Sequence, residues 1–135
     1  MAETFSFELL KPDGLVLSVD DAVEVVIPGA DGYFGVLKDH HPLLAILGVG
    51  VLSLRTPERR YEAMVADGFC EVAHNRVVVL AETAERAEEI DVGRARRSLE
   101  RARERIARGG QAEELETAWA AVGRAESRLK AAASL

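Results

Sequence analysis

Three histidines, one cysteine and a run of arginines are the side chains of this 135-residue chain with the most chemistry to offer. His40 and His41 stand side by side before Pro42, and His74 lies far down the chain. Neighbours in an extended segment point to opposite faces, so His40 and His41 cannot readily share one ion. No Cys pair and no His-x-x-x-His accompanies them, and no metal site is expected. Asp20-Asp21 and Asp39-His40 have the types for acid–base work. Yet the chain has neither a Gly-x-Ser-x-Gly elbow nor a Gly-x-x-x-x-Gly-Lys-[Ser/Thr] phosphate loop. These acids read as strand ends and turns, and no catalytic residue is assigned. Cys70, beside Phe69, reads as a small buried hydrophobe, and a single thiol fits a reducing compartment.

Arginine carries more information. Arg94, Arg97, Arg101, Arg105 and Arg108 recur three or four apart, which makes a basic stripe along one helix face. Two readings stay open. The stripe is a solvated face partnered by Glu100 and Glu104, or it docks on an acidic surface of a larger assembly. A net charge of -6 gives no basic footprint for nucleic acid. The longest apolar run, Leu43 to Leu52, falls short of the roughly 20 residues that cross a bilayer. The first residues, Met1 to Ser6, lack a cationic segment followed by an apolar one, so no signal peptide is expected.

The elements that must position these residues change character once. Residues 1–83 hold thirteen acidic and six basic side chains; residues 84–135 hold ten and eleven. Glycine and β-branched residues dominate the first part, alanine and arginine the second. Domains are therefore drawn at 1–83 and 91–135, with 84–90 as linker. In the first, apolar residues alternate at Phe5, Phe7, Leu9, at Leu15, Leu17, Val19, and at Val23, Val25, Ile27. Pro12-Asp13-Gly14 reads as a turn. Val49–Arg55 and Arg60–Ala66 read as a hairpin about residues 56–59, Asp67-Gly68 as a tight turn, and 69–73 and 76–81 as a pair about His74-Asn75. Short strands at regular spacing predict an antiparallel β-sandwich. In the second, Asp91 is a helix cap behind Ile90. Ala95, Leu99, Ala102 and Ile106 form one narrow apolar stripe, ended by Gly109-Gly110. Leu115, Ala118, Val122, Ala125, Leu129 and Ala132 form another. Two antiparallel helices with thin, alanine-rich stripes predict a weakly held hairpin.

Between the strands, Gly29 to Gly50 reads as a tight, partly apolar contact loop. Gly29, Gly32 and Gly35 are placed for positive φ or close approach, and Leu43–Leu47 supplies the apolar part. This stretch also resembles a known family. Gly32-x-x-Gly35-Val-Leu-x-x-His40-x-Pro42-Leu-Leu, closing on Gly50-Val-Leu, is similar to the signature of the epsilon subunit of F-type ATP synthases. Asp67-Gly68-Phe69, Val77-Val-Val-Leu-Ala-Glu-Thr-Ala-Glu and Ile90-Asp91-x-x-Arg94-Ala95 continue the similarity, in order, over nearly the whole chain. Lys38-Asp39 depart from it, standing where a Pro-Gly pair is usual.

The resemblance implies a non-catalytic rotor-stalk subunit, peripheral on the cytoplasmic face of a bacterial inner membrane. It implies that the sandwich meets the gamma subunit and the c-ring through Gly32, Tyr33, Phe34, Gly35, His40 and Pro42. It implies a helical hairpin that brakes ATP hydrolysis by extending toward the alpha and beta subunits, with Arg97, Arg101, Arg105 and Arg108 as its basic stripe. It also implies a nucleotide site at Glu85, Ile90, Asp91, Arg94, Ala95, Arg124 and Arg128. Thr117 stands where a strong binder carries arginine, so no cofactor beyond weakly held, regulatory ATP with Mg is expected. The alternative is a stand-alone β-sandwich binding or enzyme module with a helical oligomerisation tail.

Overall fold

A computed structural model describes residues 3–135; of the segment read above for a signal, Met1 and Ala2 lie outside them. Eight strands come first: β1 (Phe5–Lys11), β2 (Gly14–Ala22), β3 (Glu24–Gly29), β4 (Gly32–Val36), β5 (Leu43–Ile46), β6 (Val49–Arg55), β7 (Arg60–Ala73) and β8 (Arg76–Arg86). A single 3-10 turn at Ala87–Glu89 leads into α1 (Val92–Arg108) and α2 (Ala112–Ala133). Strand β8 thus continues three residues beyond the change in composition at residue 83.

The long strands β7 and β8 belong to two sheets at once. Residues 60–66 of β7 pair with β6, which pairs with β3, and β3 with β4. Residues 69–72 pair instead with β5, while the first half of β8 pairs with β1 and β1 with β2. The changeover is at Asp67-Gly68, where φ is 61° and 122°. No hairpin turn forms there, contrary to the reading from the Asp-Gly dipeptide. The pairing with β8 runs through it in unbroken register, Ala66 opposite Thr83 and Gly68 opposite Ala81. Asp-Gly supplies the positive φ for a bend inside a strand rather than for a reversal. A Cβ on Gly68 would lie 1.9 Å from the Leu80 carbonyl oxygen, so glycine is required. The reversal comes at His74-Asn75, with φ of 53° and 57°, a two-residue turn of the type that matches strand twist. One pairing departs from the antiparallel pattern: β1 and β8 run parallel.

Phe5, Phe7, Leu9, Val25, Ile27, Leu52, Leu54, Val65, Val77 and Val79 fill the space between the sheets. Cys70 joins them, fully buried, and burial together with the neighbouring Glu71 carboxylate pushes its thiol up to about 12. It packs and does not react.

The two helices pack along the predicted stripes, with Leu99, Ala102, Val122 and Ala125 buried between them. The Asp91 carboxylate accepts from the Arg94 amide at 3.0 Å and caps α1, as read from sequence. Helix α2, rather than α1, carries the packing on β6 and β7. Its last turn places Ala131, fully buried, against Val51, Met64, Ala66, Ala87 and Ile90. That explains why β6 and the first half of β7 are apolar on both faces: one faces the other sheet, one faces α2.

Candidate functional site

The expected contact loop is mostly strand. Gly32–Val36 pairs with β3, and Leu43–Ile46 with β7. Its six named residues fall at two places, because β4 separates them. Gly32 (φ 131°) and Tyr33 lie by the β3–β4 turn, with Phe34 tucked against the sandwich core. His40 and Pro42 lie beyond the other end of β4, in the loop to β5, where the His40 Nδ1 sits 2.7 Å from the His41 carbonyl oxygen. Gly35 needs neither positive φ nor close approach: a Cβ there would meet only the Val25 oxygen, at 4.0 Å. That expectation is corrected, since Gly35 sits in regular β4 opposite Val26. Asp39 takes up a left-handed conformation (φ 58°), and its amide donates to Asn75 Oδ1 at 2.8 Å. Aspartate tolerates that conformation without a Pro-Gly pair. Neither histidine joins a third ligand, and no group of three or more metal-ligating side chains occurs among the described residues.

A larger feature escapes single-strand reading. In-register partners run Ile46–Phe69–Leu80–Leu10–Leu15 across β5, β7, β8, β1 and β2. Partners in register present side chains to the same face. Four of the five are exposed, with Ile46 at 71% and Phe69 at 44%, and Leu44 beside them is at 69%. This apolar row crosses the outer face of the sheet that no helix covers. On that face the residues alternate ordinarily along each strand, and only the register aligns them; the signal was the unpaired apolar residue on the outward side of each strand.

The second candidate lies where β8 meets the hairpin. A cleft of about 290 Å³ is lined by Glu85, Glu89, Asp91, Arg94, Ala95, Ser98 and Arg128. The structure therefore brings together five residues of the predicted nucleotide set: Glu85, Asp91, Arg94, Ala95 and Arg128. Ile90 is instead buried under α2, and Arg124 does not line the cleft. The Nε and one terminal nitrogen of Arg128 each lie 2.8 Å from the same Glu85 oxygen, tying α2 to β8. Two arginines thus face three carboxylates, one arginine is already engaged, and Asp91 is spent on its cap. A triphosphate needs free cationic donors, and the cleft as folded does not fit one held tightly.

The arginines of α1 divide. Arg105 pairs with Glu114 of α2, and Arg103 with Glu126. Glu100 and Glu104 pair with none of the stripe among the described residues. Arg97, Arg101 and Arg108 make no ion pair there either, although Arg101 donates to the Ser98 hydroxyl at 3.3 Å.

A two-sheet β-sandwich, bare and apolar on one outer face and carrying a helical hairpin on the other, defines a two-part assembly module. Residues 4–87 match the family described as ATP synthase, Delta/Epsilon chain, beta-sandwich domain, and residues 88–133 that described as its long alpha-helix domain. The chain belongs to the delta/epsilon chain family of ATP synthases. It is 40% identical over 132 residues to the ATP synthase epsilon chain of Desulforamulus reducens, covering 98% of this chain and 99% of that one. It is 41% identical over 133 residues to that of Moorella thermoacetica, covering 98% of each. Its fold matches a chain in the mitochondrial ATP synthase of Euglena gracilis, a structure of OSCP, F1 and c-ring, with a TM-score of 0.83 at 23% identity, over 98% of this chain and 82% of that one.

Proposed function

We propose that this chain is the epsilon subunit of a bacterial ATP synthase, a non-catalytic part of the central rotor stalk that couples proton-driven rotation to ATP synthesis. The observation that carries this is the near full-length identity with epsilon chains, across both the sandwich and the hairpin. The uncovered row of Ile46, Phe69, Leu80, Leu10 and Leu15 suits a permanent seat on the gamma subunit, because apolar area of this kind is stabilised only when a partner removes it from water. The turn at Gly32 and Tyr33, and the loop holding His40 and Pro42, would meet gamma and the c-ring from its flanks. The stand-alone module with an oligomerisation tail is supported by no feature of the fold. Such a subunit works at the cytoplasmic face of the inner membrane, as a peripheral component.

The hairpin, on this reading, brakes ATP hydrolysis. Packed on β6 and β7 it is permissive; released, it extends along gamma and presents Arg97, Arg101 and Arg108 to the alpha and beta subunits. A weakly docked, alanine-rich hairpin suits that role, since neither state should win by many kcal/mol. Nucleotide is at most a weak regulator: ATP with Mg would have to displace Glu85 from Arg128. Deleting residues 91–135 tests the brake. Hydrolysis by the assembled enzyme should rise while the truncated subunit still co-purifies with the complex. Unchanged hydrolysis with normal assembly would remove the brake and leave the coupling role.

A further inference from the structure

The seat of α2 and the β3–β4 hairpin meet at one residue. Strand β3 pairs with β6 in register from Glu24–Arg55 to Val26–Ser53. Continued, that register would place Pro28 beside Val51. Instead the Gly48 amide takes the Pro28 carbonyl at 2.9 Å, and contact resumes out of step at Gly29–Leu47. The Val51 amide falls in the gap and loses its backbone acceptor on β3. A buried amide without an acceptor is costly. Tyr33 fills the place: its ring reaches from β4 across Pro28, and its hydroxyl oxygen accepts from the Val51 amide at 3.0 Å. Gly50 makes the room, since a Cβ there would lie 2.3 Å from the Tyr33 hydroxyl and 2.8 Å from Pro28 Cβ.

The same residue touches the hairpin. Lys130 of α2 lies 5.9 Å from the centroid of the Tyr33 ring, and Ala131, next in the chain, is buried against Val51. Two successive residues of α2 thus rest on the two partners of one hydrogen bond. The ring also lies half-exposed on the β3–β4 hairpin, at the flank of the surface assigned above to the rotor.

We propose that Tyr33 couples the docking of the helical hairpin to the position of the β3–β4 hairpin: α2 on its seat holds Tyr33 on Val51, and Tyr33 on Val51 holds the seat for α2. The coupling is intramolecular and rests on the rotor reading only for its consequence, that contacts at the β3–β4 turn bias the hairpin. Linkage makes it reciprocal. A partner that pulls Tyr33 outward loosens α2, and a docked α2 resists that pull.

The test uses the isolated full-length chain, so its failure is distinct from failure of the rotor assignment. Amide hydrogen exchange is measured for wild type, Tyr33→Phe, Lys130→Met and the double variant. Tyr33→Phe keeps the ring and removes the acceptor. Val51 should exchange about fivefold faster, as loss of one net hydrogen bond implies, and the α2 amides from 125 to 130 should speed up with it. Lys130→Met should speed exchange at Val51 although it touches no group of that bond. In the double variant the effects should fall short of the product of the two singles. Gly50→Ala, which drives the hydroxyl off without deleting it, should reproduce Tyr33→Phe. Protection at Leu9 and Val79 reports that the sandwich stays folded. Faster exchange confined to Val51 in Tyr33→Phe, with α2 unchanged, would overturn the proposal and leave Tyr33 as a gap filler. So would a Lys130→Met variant with wild-type exchange at Val51.

Discussion

Ala131→Leu should lift the hairpin and leave the sandwich intact. Ala131 has no exposed surface and is enclosed by Val51, Met64, Ala66, Ala87, Ile90 and the rest of α2. Leucine adds three carbons where no space is left. Overpacking of this kind costs about 1–3 kcal/mol, and the cheapest relief is to move α2, because the alternative is to deform two paired strands. The ratio of docked to released hairpin should fall by roughly five- to 150-fold, at 1.4 kcal/mol per factor of ten. The core of Phe7, Leu9, Leu52, Val65 and Val79 does not include Ala131 and should not respond. Native-state hydrogen exchange separates the two units. The α2 amides should exchange faster by that factor, with β1, β7 and β8 unchanged. Ala120→Leu, on the exposed side of α2, is the control and should change neither. Equal loss of protection in α2 and β8 would refute the two-unit reading. Unchanged α2 protection would refute the seat.

Other outcomes follow from the same geometry. Gly68→Ala should destabilise the sandwich by at least about 2 kcal/mol, because positive φ and the Leu80 carbonyl both oppose a Cβ; Gly35→Ala should lie within about 1 kcal/mol of wild type in the same denaturant titration. Replacing Arg97, Arg101 and Arg108 together by alanine should partly relieve inhibition of ATP hydrolysis in the assembled enzyme, and the relief should shrink at high salt, where exposed charges are screened within about 10 Å at 0.1 M. Cys70, its thiol held near about 12 by burial, should stay protonated and unmodified by thiol reagents in the native chain at pH 8, and react only as the sandwich unfolds; a fast native reaction would place it outside the core.

Much of this architecture is legible in the chain. Strands β1 to β3 announce themselves by alternation, because one face of each is buried and the other solvated or edge-exposed. Both helices follow from stripes of period 3.6 and from the Asp91 cap. What failed to show was long-range. Asp67-Gly68 has the chemistry of a hairpin turn, and only pairing with β8 on one side and with β5 and β6 on the other turns it into a bend. Glycine at 35 resembles glycine at 32, yet only one occupies a left-handed conformation. The row from Ile46 to Leu15 crosses five strands and depends on a parallel pairing that no local pattern specifies. In the cleft, residue types located five of the seven predicted residues but not their state: Glu85 already holds Arg128, a contact 43 positions apart in sequence.

The central claim is that the bare apolar face of the sandwich is the seat on the rotor. Binding of the full-length chain to purified gamma subunit measures it most directly, with Ile46→Glu and Phe69→Glu combined against wild type. Both side chains point outward, so the variant should keep its cooperative unfolding. Burial of two carboxylates in an apolar interface should weaken binding by at least about thirtyfold, the loss expected at an interface hot spot. Wild-type affinity in a folded double variant would contradict the account.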